Sequence, residues 1–202
     1  AQRYYKKYAK AKHAQAVLTE QIGLAERELE YLSSVQDALA RAETERDFAE
    51  LRQELTVAGL CGDRRAPKNG KKGGRPLPSK PLAFTLTSGR TVRVGKNNLQ
   101  NDALTFGADK TDIWFHVKGF PGSHAVLFTD GAEPTDLDYT ESAMLAAYHS
   151  KASGGVNVQV DYTPVRYVKK PAGAKPGFVV YDRYFTAVVR AALPDGVREQ
   201  KK

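Results

Sequence analysis

Residues 112–129 read DIWFHVKGFPGSHAVLFT, with two short apolar segments on either side of a loop that contains two glycines and a proline. Short runs rich in aromatic and β-branched residues, bounded by turn-forming residues, are typical of β-strands. We therefore predict strands at 112–117 and 125–129, joined by a tight loop. This strand-loop-strand unit is the centre of the predicted fold.

Segments of the same kind lie on both sides of this unit. Residues 84–87 and 91–94 flank a Ser88-Gly89 turn, which predicts a β-hairpin. Three further strands are predicted at 156–160, 178–181 and 185–189. Together these segments predict a mainly antiparallel sheet.

One helix interrupts the predicted strands. Asp138 is followed three residues later by Glu141, which predicts a capping box at its start, and Gly154-Gly155 predicts its end. Its expected buried face consists of Ala143, Met144, Ala147 and Tyr148. A helix packed on one face of the sheet makes the predicted fold class α+β.

Residues 1–57 show a different pattern, in which mostly apolar positions recur at alternating steps of four and three. This heptad spacing is typical of a coiled-coil helix. A helix of about 38 residues is roughly 57 Å long at about 1.5 Å per residue, so we expect an arm that projects from the domain. A second, short helix is predicted to begin after the N-cap Thr44 and to end at Gly59. The heptad positions are Tyr4, Tyr8, Ala11, Gln15, Leu18, Ile22, Ala25, Leu29, Leu32, Gln36 and Leu39.

A narrow apolar seam of this kind requires a second helix to cover it. The partner helix could belong to a part of the parent protein outside these 202 residues, to a second copy of the chain or to another protein. We therefore expect the isolated chain to self-associate through the seam.

Residues 58–80 combine glycine, proline and basic residues with almost nothing to bury, which predicts a flexible tether. The whole chain has a formal net charge of +8, and this segment holds seven basic residues and one acidic residue. Such a cluster can neutralise nucleic-acid phosphates, although a linker kept soluble by lysines has the same composition. Residues 81–202 form the third predicted region, the sheet domain.

The sequence lacks the patterns of an enzyme or a metal protein. The single cysteine, Cys61, excludes an intrachain disulfide and a cysteine zinc site, and it suits a reducing compartment. The four histidines lack metal-site spacing, there is no P-loop, and Ser123-His124 lacks the Gly-x-Ser-x-Gly elbow of a hydrolase. No apolar run approaches the roughly 20 residues of a membrane-spanning helix. We therefore expect no catalysis, metal, cofactor or membrane partner, and a cytoplasmic location.

What remains is a set of stretches that combine amides, aromatic rings and basic side chains. Aromatic rings and guanidinium planes stack on unpaired bases, lysines neutralise phosphates, and amides or imidazoles bond to base edges or a 2′-hydroxyl. These stretches predict an RNA-binding surface, although core packing of Trp114 and a solvated basic loop at 166–175 stay open as alternatives. The candidate RNA-binding residues are Lys96, Asn97, Asn98, His116, Lys118, Ser123, His124, Arg166, Lys169, Lys170 and Lys175.

The order of several sequence blocks between residues 3 and about 190 resembles the signature of the NFACT family, also known as RqcH, FbpA or NEMF proteins. The blocks are RYYKKYAKAK, VGKNNLQND, DIWFHVKGFPGSH, LAAYHSKA, VDYT and VKKPAGAKPGFVVY. The resemblance implies that 1–57 are the returning part of a coiled-coil region and that 81–202 are the RNA-binding NFACT-R domain. One departure is DRYFT at 182–186, where the family usually has a polar stretch with a lysine before a threonine.

The resemblance also implies a function in ribosome-associated quality control. The family binds the large ribosomal subunit carrying a stalled peptidyl-tRNA and recruits tRNA, alanine tRNA in bacteria, to extend the stalled chain with a C-terminal tail. The implied partners are large-subunit RNA, tRNA and a coiled-coil helix from the N-terminal part of the parent protein. The family's other label, fibronectin- or fibrinogen-binding protein, leaves a surface adhesin as the alternative.

Overall fold

The computed structural model describes residues 2–62 and 79–200, and within them it has the predicted α+β fold. Two helices come first, α1 at Gln2–Ala40 and α2 at Glu45–Val57. Thr44 caps α2 as predicted, because its side chain accepts a hydrogen bond from the backbone N–H of Asp47 at 3.2 Å. Gly59, with φ +75°, follows the C-cap of α2 in the left-handed conformation that favours glycine.

All strand pairings in the sheet domain are antiparallel, and three of them, β1-β2, β3-β4 and β6-β7, join strands that are consecutive in the chain. Their bounds are β1 Leu82–Thr85, β2 Thr91–Val94, β3 Ile113–Val117, β4 Ala125–Leu127, β5 Val158–Pro164, β6 Val168–Lys169, β7 Val180–Tyr181, β8 Phe185–Val189 and β9 Arg198–Glu199. Seven of them form one antiparallel sheet in the order β8-β5-β3-β4-β2-β1-β9, and β6 pairs with β7 in a separate ribbon. The predicted strand-loop-strand unit is therefore β3 and β4, close to the middle of the sheet.

Helices cover both faces of the sheet. Helix α4, Asp136–Tyr148, packs on the face that carries Phe115 and Val117 of β3. The opposite face carries Trp114, which packs against Leu104 of helix α3, Asn98–Gly107, and against the β6-β7 ribbon. Because alternate residues of a strand point to opposite faces, Trp114 and His116 share the α3 face.

Helix α4 confirms the predicted helix but corrects its ends. The N-cap is Thr135, and Asp138 is its partner three residues later in the capping box, so Asp138 is not the cap itself. Glu141 instead accepts a hydrogen bond from the backbone N–H of Thr87 at 3.0 Å. The helix ends at Tyr148, well before the expected stop at Gly154. Of its expected buried face, Ala143 and Ala147 are buried, whereas Met144 is half-buried and Tyr148 is exposed.

The predicted arm is present, and its seam is exposed. Helix α1 has 39 residues, and its heptad positions lie in water, with Tyr4 78% and Leu29 69% exposed. Only the C-terminal end of α1 is buried on the rest of the chain, through a different stripe formed by Tyr31, Val35 and Ala38. The seam is therefore left free for a partner helix.

A set of hydrogen bonds fixes the end of the arm to the sheet domain. Arg41 donates through Nη1 to Ser123 Oγ at 3.0 Å. Glu54 is fully buried, and its carboxylate accepts from both the backbone N–H and the side-chain Nδ2 of Asn98, at 3.1 and 2.8 Å. We call Arg41, which directly follows α1, together with Asp47, Glu50 and Glu54 of α2, the polar joint.

We expect the isolated chain to self-associate through the exposed seam, because burying a leucine stabilises an interface by roughly 1.5–3 kcal/mol. Leu18→Asp should therefore shift the sedimentation profile toward the monomer. The matched control is Val17→Asp, since Val17 is also exposed on α1 but lies off the seam. A wild-type chain that stays monomeric at high concentration would contradict the prediction.

The predicted tether at 58–80 lies mostly outside the described residues. Of its C-terminal end, Ser79 is described, and its hydroxyl donates to Glu50 Oε2 at 2.9 Å. The flexibility of the tether therefore stays a prediction.

Candidate nucleic-acid interface

A cavity of about 830 Å³ lies between α1, strand β3 and the segment 171–179. Four of the predicted RNA-binding residues line it. They are Asn98, His116, His124 and Lys175. The cavity therefore brings together candidates that are up to 77 residues apart in the sequence, and it places them against the arm.

His116 and His124 are the central polar groups of the cavity. The ring of Trp114 stacks on His116 with 5.7 Å between centroids, and the edge of His124 meets both rings at 5.2 and 5.5 Å. Burial lowers the pKa of His116 to about 4, a shift that a hydrogen bond with the Gly122 backbone and the charge of Asp161 partly offset. Burial lowers the pKa of His124 well below its usual value, and the neighbouring His116 adds to the effect. Both imidazoles are therefore neutral at neutral pH.

The side chain of His124 is more deeply buried than that of His116. It is 2% exposed, its Nδ1 lies 2.8 Å from Thr105 Oγ1, and its backbone N–H donates to Asn101 Oδ1 at 3.1 Å. Both partners belong to α3, so His124 ties this helix to the end of the β3-β4 loop. His116 is only half-buried and keeps one side toward the cavity.

The loop between β3 and β4 approaches the end of α4 closely. Gly122 pairs with Ser150, and a Cβ atom at Gly122 would lie 2.7 Å from the Ser150 Cβ, so only glycine fits there without a shift. Ser123 is buried next to it and receives the hydrogen bond from Arg41. In this structure Ser123 holds the arm, and its hydroxyl does not face solvent.

The three candidates at the start of α3 are engaged with the polar joint. Lys96 Nζ bonds to Asp47 Oδ1 at 3.2 Å. Asn97 caps α3 through its Oδ1 and donates through Nδ2 to Glu50 Oε2 at 2.9 Å. Asn98 is bound to Glu54, as described above. The VGKNN stretch therefore holds α2 on the domain, and α3 itself was not predicted because its polar first turn has the composition of a loop.

The lysines of the 166–175 region each have an acidic neighbour. Lys169 lies 3.8 Å from Asp182 and is largely exposed, whereas Lys170 bonds to Asp102 of α3. Lys175 Nζ lies 3.2 Å from Glu28 Oε1 and 4.8 Å above the Tyr31 ring. Lys169 therefore remains exposed to solvent, whereas the ion pairs of Lys170 and Lys175 help to fix the segment 171–179.

Arg166 belongs to an exposed group of cations and rings that sequence reasoning found only in part. Its guanidinium carbon lies 5.1 Å from the centre of the Tyr167 ring, and that of Arg183 lies 5.3 Å from the same ring. The two arginines lower the pKa of Tyr167 through hydrogen bonds and charge. Close by, Lys118 Nζ lies 5.4 Å from the Tyr184 ring. We call these five residues the Tyr167 cluster.

Arg183 and Tyr184 were missing from the predicted set because they fall in the segment that departs from the family pattern. Arg183 has φ +51°, in the left-handed region that a non-glycine residue rarely adopts. This conformation accompanies the position of its side chain over Tyr167. The signal in the sequence was the Arg-Tyr pair that occurs twice, at 166–167 and at 183–184.

Two family models match the chain. The model described as NFACT N-terminal and middle domains matches residues 1–73, and the model described as NFACT protein RNA binding domain matches residues 80–182. The second match alone covers half of the chain. The chain belongs to the NFACT family.

Relatives within the NFACT family agree with this assignment. The Rqc2 homolog RqcH of Bacillus subtilis is 46% identical over 192 residues, which are 94% of this chain and 32% of the relative. The Rqc2 homolog RqcH of Streptococcus suis is 44% identical over 183 residues, which are 90% of this chain and 32% of the relative. This chain therefore spans about a third of the length of the curated relatives that it matches.

A solved structure shares the NFACT fold seen here. The C-terminal part of the fibronectin/fibrinogen-binding protein from Streptococcus suis superposes with a TM-score of 0.82 at 41% identity, covering 95% of this chain and 74% of that one. The predicted family resemblance and fold class are thus confirmed.

The described residues contain no group of three or more histidine, cysteine, aspartate or glutamate side chains able to hold a metal ion. Within the same part of the NFACT chain, no helix is long and apolar enough to cross a membrane. What the site offers chemically is a surface of cations and stacking rings beside a cavity whose lining combines aromatic and neutral polar groups with equal numbers of acidic and basic side chains.

Proposed function

We propose that this chain is the RNA-binding C-terminal part of a non-catalytic, cytoplasmic factor in ribosome-associated quality control. In this proposal the whole protein binds the large ribosomal subunit carrying a stalled peptidyl-tRNA and recruits tRNA, alanine tRNA in bacteria, for C-terminal tailing. Its partners are large-subunit RNA, tRNA and the coiled-coil helix that covers the seam of α1. Family membership and the names of the RqcH relatives support the proposal.

The observation that carries the proposal is the Tyr167 cluster on the domain that matches the RNA-binding model. Two guanidinium groups and a lysine lie over exposed or half-exposed tyrosine rings, with little acid to neutralise them apart from Asp182 and Asp161. Such a surface attracts phosphates through charge and holds bases by stacking. Of the predicted residues, Arg166, Lys118 and Lys169 are therefore proposed as direct RNA contacts, joined by Tyr167, Arg183 and Tyr184.

Other predicted residues take a second role in the proposal. Lys96, Asn97, Asn98 and Ser123 position the arm relative to the RNA-binding surface through the polar joint. Lys170 and Lys175 hold the segment 171–179 through Asp102 and Glu28. Their effect on RNA binding is expected to be indirect.

The test is the salt dependence of RNA binding by the full chain and by the double variant Arg166→Ala/Arg183→Ala. Each phosphate contact contributes about 0.9 to the slope of log affinity against log salt on duplexes and about 0.7 on single strands. Removal of two contacts is therefore expected to weaken tRNA binding at low salt and to lower the slope by roughly 1–2. Filter binding over a salt series measures both quantities.

The matched control is Arg190→Ala/Arg198→Ala, which removes two exposed arginines away from the Tyr167 cluster. We expect this control to keep most of the wild-type slope. Equal losses in the two double variants would mean that net charge alone attracts RNA, and they would remove the Tyr167 cluster from the proposal.

The adhesin alternative rests on the name of the Streptococcus suis structure, which includes fibronectin and fibrinogen. The two functions predict different locations for the parent protein. Sedimentation of a cell lysate on a sucrose gradient should place it with ribosomal particles, whereas an adhesin would be found on the cell surface.

A further inference from the structure

The cavity beside α1 has the lining of a site for a flat, uncharged group. Ligand sites in proteins typically have volumes of about 300–1,000 Å³ and mostly apolar walls with a few polar groups. This cavity measures about 830 Å³, and its aromatic lining comes from Tyr31, Trp114, Phe120, Phe178 and Tyr181. Phe120, at the tip of the β3-β4 loop, is half exposed at 50% although it is a large apolar side chain.

The charges around the cavity cancel. Arg27 and Lys175 are balanced by Glu28 and Glu30, and Lys175 is already bonded to Glu28 at 3.2 Å. His116 and His124 add no charge, since both are neutral at neutral pH. The cavity therefore has no excess positive charge to draw in a phosphate, and its lining favours a neutral ligand group.

The cavity also contains hydrogen-bonding groups that the described chain leaves unused. Trp114 lines the cavity, and its indole N–H is buried without a hydrogen-bond acceptor among the described residues. A buried donor without an acceptor destabilises the structure, and a ligand that offers an acceptor would relieve this. The half-buried imidazole of His116 can both donate and accept, because it is neutral.

A flat ring with donors and acceptors on its edge, attached to an anion that stays outside, describes an unpaired nucleotide. We propose that the cavity takes up one unpaired base of an RNA strand whose phosphates are held by the exposed cations of the domain. This inference rests on the proposed RNA-binding function and adds to it a preference for single-stranded over duplex RNA. Phe120 and Phe178 would provide stacking surfaces, and His116, which stacks on the fully buried Trp114 ring, would contact the base edge.

The sequence contains one tryptophan, so tryptophan fluorescence reports directly on the cavity. The full chain is titrated with a short single-stranded RNA, with the same strand carrying abasic sites, and with its duplex. All three carry phosphates, but only the first presents unpaired bases. We expect the intact strand alone to change the Trp114 emission, and we expect it to bind roughly tenfold more tightly than the abasic strand, as stacking of one base allows.

Two variants and one control test the place of binding. Phe120→Ala removes an exposed stacking ring, and Ala174→Phe fills the cavity without changing any charge. Both are expected to abolish the preference for the intact strand, and thermal scans identify any variant that fails to fold. Phe106→Ala is the matched control, because Phe106 is 40% exposed on α3 and does not line the cavity. This control should keep the preference.

The outcomes separate this inference from the proposed function. Equal binding of intact and abasic strands with no change in Trp114 emission would overturn the base site and leave RNA binding intact. Failure of all three RNAs to bind would overturn both. A nucleoside monophosphate that saturates the Trp114 signal, with no competition from the intact strand, would assign the cavity to a free nucleotide and also overturn the inference.

Discussion

Replacement of Glu54 by alanine is expected to lower the free energy of unfolding by roughly 1–3 kcal/mol. Glu54 is fully buried, and its carboxylate accepts two hydrogen bonds from Asn98. Its removal leaves a cavity beneath α2 and leaves the backbone N–H of Asn98 without its acceptor, whereas Asn98 Nδ2 still donates to Ser34 Oγ at 2.8 Å. Burial of a donor without an acceptor costs about 1–3 kcal/mol. Urea denaturation, followed by tryptophan fluorescence, measures the change.

Two further variants isolate the cause. Glu54→Gln keeps the shape of the side chain and one acceptor, so we expect a smaller loss than for alanine. Glu43→Ala removes an exposed glutamate just before α2, and its effect should stay within about 0.5 kcal/mol. A loss for Glu54→Ala as small as that of the control would mean that the polar joint does not stabilise the fold.

Acidification from pH 7 to pH 5 is expected to destabilise the wild-type protein by roughly 2 kcal/mol more than the variant His149→Leu. Burial, with a contribution from the charge of Arg41, lowers the pKa of His149 from 6.5 to about 4. In the unfolded chain this histidine takes up a proton as the pH falls through about 6.5, whereas in the folded chain it does so only near pH 4. Between these values the unfolded state binds more protons, so the free energy of unfolding decreases as the pH is lowered.

The variant comparison is needed because other groups titrate in the same range. His116 acts in the same direction as His149, whereas burial raises the pKa of Glu54, and this carboxyl group favours the folded state as the pH falls. Tyr148→Leu is the control, since it removes the ring 5.0 Å from His149 but leaves the imidazole. Urea midpoints at the two pH values measure the effect, and a His149→Leu protein with the wild-type pH dependence would refute it.

The elements that the sequence predicted are those with a strong local pattern. The heptad spacing of α1, the hairpin of β1 and β2 and the strands β3 and β4 each follow from residues adjacent to one another in the chain. The elements it missed are short or polar. Strands β6 and β9 have two residues each, too few for a period, and α3 begins with amides that are also common in loops.

The candidate residues were predicted as a chemical group, but their roles depended on partners far away in the sequence. Nothing near Ser123 indicated that Arg41, 82 residues earlier, would bond to its hydroxyl. Nothing near Lys96 indicated Asp47. Arg183, in a rare backbone conformation, lies over Tyr167, and local composition predicted neither feature.

The sequence by itself determined the α+β class, the exposed seam of α1 and the family, because periodicity, turn residues and ordered blocks are properties of neighbouring residues. Only the tertiary structure decided which polar groups face water and which form hydrogen bonds or ion pairs with the polar joint. Burial and hydrogen bonding depend on segments brought together by the sheet. Asn98 and Lys118, both predicted RNA contacts, therefore have opposite environments, one buried against Glu54 and the other exposed beside Tyr184.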